Sequence, residues 1–372
     1  MSYIFNITAT QELYRADEQV HEALTSILNI FPTSSFLLAQ RGLLMHHSKD
    51  YDSAEKVFSD ILVADPYRLD QLDAYSNILY VMEKRPKLAF LAQVASNTDK
   101  FRPETCCVLG NYYSLKGDHE KAVMYFRRAL VLDRSFLSAW TLMGHEFVEM
   151  KNTHAAIDSY RRAVDVNRKD YRAWYGLGQT YELLEMHSYA LFYHQRATAL
   201  RPFDPKLWAG VAQCFSRIGK ITSAIRAYKR ALVAGSYYEA ASFGAGDMSA
   251  LGGGVLDPEC LYQIALLYER LHDMQECAAY MELVLAQEEG PELDDGNPEG
   301  GAGGVGVTIT TSKARLWLAR WEYMRGVYQR AMELANELCQ DGVEVEDAKA
   351  LVRDIRARME RREGAGEEEE SP

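Results

Sequence analysis

The feature that most constrains this chain is a pattern written four times between Pro103 and Tyr238 at a spacing of 34 residues. With Pro103 as position 1, position 8 is Gly110, Gly144, Gly178 and Ala212, and position 20 is Ala122, Ala156, Ala190 and Ala224. Position 27 reads Ala129, Ala163, Ala197 and Ala231. Large aromatics hold their own phase: Trp140, Trp174 and Trp208 at position 4, and Tyr113, Phe147, Tyr181 and Phe215 at position 11. Small residues recur where space must be short and rings recur beside them. Such a block cannot cover its own apolar face, and stability has to come from stacking copy on copy.

The combination of an aromatic at 4, a small residue at 8, an aromatic at 11, alanines at 20 and 27 and proline at 32 is the tetratricopeptide signature. Each unit is predicted as two antiparallel helices whose backbones approach at positions 8, 20 and 27, with aromatics at 4, 11 and 24 filling the space alongside. The expected fold is all-α: a right-handed superhelix, an α-solenoid of helix-turn-helix repeats with the first helix of each unit lining a concave surface. The frame gives seven in-register units over 1–238, at 1–34, 35–68, 69–102, 103–136, 137–170, 171–204 and 205–238. The match weakens upstream. Gly42, Ala54, Phe58 and Pro66 fit the second unit, whereas the third has Ser76 at position 8 and Leu88 at position 20.

Register breaks at 239–257, a Gly/Ala-rich loop by composition, and resumes in a unit at 258–291 carrying Leu261, Ala265, Tyr268, Cys277, Met281 and Val284. Residues 292–312, acidic and then glycine-rich, are expected to be disordered. A final helical repeat and a capping helix from Val345 to Arg362 fill 313–362, with Trp317, Trp321, Ala331 and Ala335 in the pair, and 363–372 is an acidic disordered tail.

Composition narrows the function classes. A net charge of -12 argues against a nucleic-acid surface, which begins with a basic face, and suits a basic partner segment. Six cysteines without paired or C-x-x-C spacing read as buried or half-buried thiols in a reducing compartment. No stretch has the length of a membrane span and the N-terminus lacks a signal pattern, so the expectation is a protein of nucleus and cytoplasm with no membrane partner. Asn6-Ile7-Thr8 is then a fortuitous sequon.

Catalytic, metal and cofactor signals fail on inspection. His145-Glu146 lacks the second histidine of H-E-x-x-H, because Glu149 stands there. His46-His47 have no acidic or cysteine partner at ligand spacing and read as a surface pair. Gly176-Leu177-Gly178 sits mid-helix with Tyr181 where a dinucleotide fingerprint needs glycine. Gly219-Lys220 lacks the upstream glycine of a phosphate loop. No catalytic residue, metal or cofactor is expected.

Binding residues are sought on the first helices, where positions 2, 5, 9 and 12 lie one stripe away from the packed face. These are Glu104, Cys107, Asn111 and Ser114, then Ser138, Thr141, His145 and Val148, then Arg172, Tyr175, Gln179 and Glu182. Asn111, Ser114, Thr141, His145, Tyr175, Gln179 and Glu182 form the candidate peptide groove, polar enough to hold an extended backbone, with Glu182 to pair an arginine. The clamp of co-chaperone adaptors, which bind peptide C-termini, needs Lys at position 5 and Asn at 9. This chain has Cys107 with Asn111, Thr141 with His145 and Tyr175 with Gln179, so that alternative lacks its pair.

Beyond the repeat consensus, the runs ETCCVLGNYYSLKGDHEKA, AWTLMGHEFVEMKNTHAAI, KDYRAWYGLGQTYELLEM and DPYRLDQLDAYSNILYV resemble the tetratricopeptide subunit-eight family of the anaphase-promoting complex, or cyclosome, over about residues 10–240. The resemblance implies a non-catalytic scaffold in a multi-subunit ubiquitin ligase that directs cell-cycle regulators to degradation. It also implies partners: sister tetratricopeptide and scaffold subunits on the outer faces, and a basic extended segment of coactivator proteins in the groove. Family members carry further upstream repeats that form a homodimer, so self-association is expected only with those repeats present.

Overall fold

The computed structural model describes residues 16–242, 256–289, 306–341 and 345–369, and among them every regular element is an α-helix. The 34-residue beat reappears in the helix boundaries. First helices begin at Ser35 (α2, Ser35–His47), Pro103 (α6, Pro103–Lys116), Leu137 (α8, Leu137–Glu149), Tyr171 (α10, Tyr171–Leu183) and Pro205 (α12, Pro205–Ile218). Second helices begin at Tyr51 (α3, Tyr51–Ala64), Arg85 (α5, Arg85–Thr98), His119 (α7, His119–Leu132), Thr153 (α9, Thr153–Val166), His187 (α11, His187–Leu200) and Ile221 (α13, Ile221–Ser242). The degenerate third unit alone departs from the beat, its first helix α4 (Leu72–Val81) starting late. Of the first unit, α1 (Ala16–Ile30) lies among the described residues.

Starts are fixed by local chemistry. Proline occupies the first turn of α6 and α12, where its missing N–H costs nothing. Side chains of Asp50, Asn152, Asp170 and Asp204 accept backbone N–H groups at the entries of α3, α9, α10 and α12.

The chain divides into two compact units, Met1–Pro202 and Phe203–Pro372. In the first, Ala122, Ala129, Ala156, Ala163, Ala190 and Ala197 are fully buried between helices. The space beside position 8 is taken by a ring from position 24 and not by partner backbone. A methyl added to Gly110 would stand 2.4 Å from Phe126, to Gly144 2.5 Å from Tyr160, and to Gly178 2.6 Å from His194. The close approach expected between backbones is therefore a ring seated on a glycine. Trp140 and Trp174 are half-buried and reach back to the preceding turn, their indole N–H groups donating to the carbonyls of Arg134 (3.0 Å) and Arg168 (2.9 Å).

The second unit contains α12, α13, α14 (Pro258–Arg270), α15 (Met274–Glu289), α16 (Ile309–Arg325), α17 (Tyr328–Asp341) and α18 (Val345–Glu369). Ala212, Ala224 and Ala231 are buried there, and Trp208 lies under the guanidinium of Arg230 at 5.0 Å. Leu261, Ala265, Cys277, Met281 and Val284 form a core with Ala314 and Leu318, and Leu351, Val352 and Ile355 of α18 cover Ala331, Ala335 and Leu338 of α17. Two ends differ from the sequence expectation. Helix α16 starts at Ile309, ahead of Lys313, because Thr308 and Thr311 form a reciprocal capping box. Helix α18 continues past Arg362 to Glu369, into the stretch expected as a disordered tail: each added residue of a started helix gains a backbone hydrogen bond, against the low helix propensity of Gly364 and Gly366. Most of the expected loop at 239–257 and of the insertion at 292–312 lies outside the described residues.

Candidate concave binding site

The first helices of the N-terminal unit enclose a cavity of about 490 Å³. Its wall is drawn from α2 (His46, His47), α4 (Asn77, Tyr80), α8 (Ser138, Thr141, His145) and α10 (Arg172), with Lys49, Lys169, Asp170 and Arg201 contributed by the turns between helices. Repeats far apart in sequence meet here. Arg172 Nη2 lies 3.5 Å from His46 Nε2, and Ser138 Oγ donates to Asp73 Oδ2 at 2.9 Å.

The lining carries four cationic side chains, Lys49, Lys169, Arg172 and Arg201, against one carboxylate, Asp170. Arg201 lies 4.5 Å over the ring of Tyr171 and Arg172 5.9 Å from it, while the Arg172 backbone N–H donates to Asp170 Oδ1 at 3.1 Å. Burial and the nearby positive charges keep three histidines neutral. Burial, then Arg172 and Arg201, lower His46 to about 4. The same causes, joined by His46, lower His47 to about 3. Surrounding protein and Arg172 lower His145 to about 4 although its ring is open to the cavity. Burial pushes the carboxyls of Asp73 and Asp170 up. The Nδ1 atoms of His46 and His47 are buried without a hydrogen-bond partner.

The seven groove residues expected from sequence do not share one surface. Thr141 and His145 line the cavity, and Tyr160 Oη contacts His145 Nδ1 at 2.9 Å. Asn111 and Ser114 are buried between stacked repeats: Asn111 Nδ2 donates to Ser76 Oγ (2.8 Å) and Asn77 Oδ1 (2.7 Å), and Ser114 Oγ donates to Glu146 Oε1 (2.6 Å). Their stripe position meets the neighbouring first helix before it meets solvent. Tyr175 packs edge-on to His194 at 5.3 Å, Gln179 is exposed, and Glu182 Oε1 is 3.4 Å from His194 Nε2. The His46-His47 pair, read as surface residues, belongs to the cavity wall, because the curl of the solenoid sets α10 opposite α2. Lys49, Lys169 and Arg201 were missed; they stand in turns, where no helical stripe marks them.

A repeating helix pair with a concave cavity among its first helices defines a tetratricopeptide-repeat protein. Tetratricopeptide models match residues 103–136 and 141–205, and the model described as anaphase promoting complex subunit 8 / Cdc23 matches residues 1–42. The chain is 51% identical over 360 residues to the anaphase-promoting complex subunit CDC23 of Saccharomyces cerevisiae, which covers 96% of this chain and 53% of that protein. It is 49% identical over 155 residues to anaphase-promoting complex subunit 8 of Arabidopsis thaliana, 42% of this chain and 27% of the relative. In fold it is similar to the crystal structure of the APC/C hetero-tetramer Cut9-Hcn1, with a TM-score of 0.60 at 16% identity over 91% of this chain and 59% of that one. By sequence the chain is thus similar to subunit 8 / Cdc23 proteins of the anaphase-promoting complex, and it spans about half the length of the yeast relative.

Proposed function

We propose that this chain is a non-catalytic scaffold segment of the anaphase-promoting complex, a ubiquitin ligase of the cell cycle acting in nucleus and cytoplasm. It stacks on sister tetratricopeptide subunits and docks a basic extended segment of a coactivator. The observation that carries the reading is identity of 51% sustained over 96% of the chain with yeast CDC23. Exposed apolar side chains are consistent with stacking: Val63 (80%), Val131 (85%) and Val233 (56%) all occupy position 29 of their repeats, on the second helix, a repeated apolar mark outside the cavity lining. The cationic cavity repels a basic segment. The acceptor for an arginine is instead Glu182, at the half of the α10 stripe outside the cavity lining.

Affinity purification of the tagged chain tests the assignment. Recovery of cullin-type and RING-type ligase subunits is expected; chaperones alone would overturn it. Titration with an arginine-containing coactivator peptide tests the docking residue, with weaker binding expected for Glu182→Lys and equal affinity ruling Glu182 out.

A further inference from the structure

The charge of the concave cavity runs against the charge of the chain. A protein of net charge -12 repels anions on average, yet four of its cations converge on one concave space with a single carboxylate among them. Bringing like charges together in a partly desolvated cavity is unfavourable unless a counter-charge occupies it. The Arg172 side chain lies by His46, hydrogen-bonds Tyr171 and feels the charge of Asp170, which also accepts its backbone N–H; the contacts of Arg201 include the face of Tyr171. One ring thus holds both guanidinium groups side by side in the cavity lining, where a planar fork of N–H donors suits an anion. Around them the side-chain amide of Asn77 stands in the lining as a neutral polar group.

We propose that this cavity binds a phosphate monoester, held by Arg172 and Arg201 with Lys49 and Lys169 around it. Phosphate fits better than a lone carboxylate, because it brings about two negative charges and three acceptor oxygens to a site with several cations. The volume of about 490 Å³ lies within the roughly 300–1,000 Å³ of ordinary ligand sites and exceeds what one inorganic anion needs. The ester is therefore carried on something larger, a phosphorylated side chain of a peptide or a small polyphosphate.

Calorimetric titration of the full chain at low salt tests this with inorganic phosphate, inositol hexakisphosphate, a phosphoserine peptide and its unphosphorylated twin. Binding of the phosphopeptide but not its twin supports the site and assigns it a protein ligand. Binding of inositol hexakisphosphate alone supports it and assigns a soluble one. With whichever probe binds, Arg172→Gln is expected to weaken affinity about tenfold or more, as loss of a charge-assisted bidentate contact does. Arg172 also contacts Tyr171, so Lys169→Gln provides a second variant, at an exposed residue; it is expected to weaken binding about threefold and to flatten the salt dependence. Arg353→Gln on α18, outside the lining, is expected to bind as the wild type does. No binding of any probe at millimolar concentration, or equal affinities for the wild type and the Arg172 and Lys169 variants, would overturn the proposal.

Discussion

One backbone torsion recurs with the repeat and is spelled by different residues each time. Lys49 (φ 64), Glu83 (52), Gly117 (88), Lys151 (58), Glu185 (58), Gly219 (89) and His272 (61) all hold position 15 of their units, in the left-handed region. Each ends a first helix. Its N–H bonds three residues back, as Lys151 does to Val148 at 2.9 Å, and the next N–H bonds five back, as Asn152 does to Phe147 at 2.8 Å. A side chain in this conformation costs about 1 kcal/mol or more, which glycine avoids. Lys151→Gly and Glu185→Gly are thus expected to stabilise the chain by about 0.5–1 kcal/mol and Gly117→Ala to destabilise it by a similar amount, in denaturant melts. Lower stability of the Lys151 variant would refute the account. The period was legible in the alanine and glycine columns, but this turn was only partly so: glycine marks it at 117, 219 and 326, whereas lysine, glutamate and histidine announce no turn.

Between elements, the deciding contact is a ring on a glycine. Tyr160 of α9 lies against Gly144 of α8 and Gly176 of α10, so one side chain ties the two helices of its own repeat to the first helix of the next. A methyl at either glycine would come within 2.5 or 2.6 Å of the same ring. Gly144→Ala and Gly176→Ala should each cost about 1–3 kcal/mol by overpacking. Because both act by displacing Tyr160, the double variant should cost less than the sum by about 0.5 kcal/mol or more. Additive losses in a double-mutant cycle would show that the ring is not shared. The small columns at 8, 20 and 27 located these contacts from sequence. The aromatics expected at position 24 are the partners, as Phe58, Phe126 and Tyr160; only His194, which shares with them a flat ring, was harder to read.

At the scale of the N-terminal unit, the curl that sets Arg172 beside His46 across 126 residues creates a pH dependence that no single repeat has. In the unfolded chain His46, His47 and His145 titrate near 6.5; in the folded unit they are held to about 4, about 3 and about 4. With folded values below unfolded ones, the unfolded chain takes up protons first. The unit therefore loses nothing above pH 6.5 and is progressively destabilised as pH falls from 6.5 toward 4. Other shifted groups act elsewhere. Glu55, whose shift is set by opposing burial and hydrogen bonding to Lys87 with net lowering, begins to cost stability only below its ordinary 4.5. Asp73 and Asp170, raised by burial, gain protons in the folded state and oppose the loss. Melting temperature should accordingly drop between pH 7 and pH 5 at constant salt, and His46→Gln/His47→Gln should shrink that drop while leaving His145 to titrate. A phosphate in the cavity would favour the imidazolium forms and should shrink it further, so the same melts repeated with inositol hexakisphosphate connect acid lability to the anion site. An unchanged slope in the double histidine variant would mean that the acid sensitivity arises from carboxylates and not from the closure of α2 on α10.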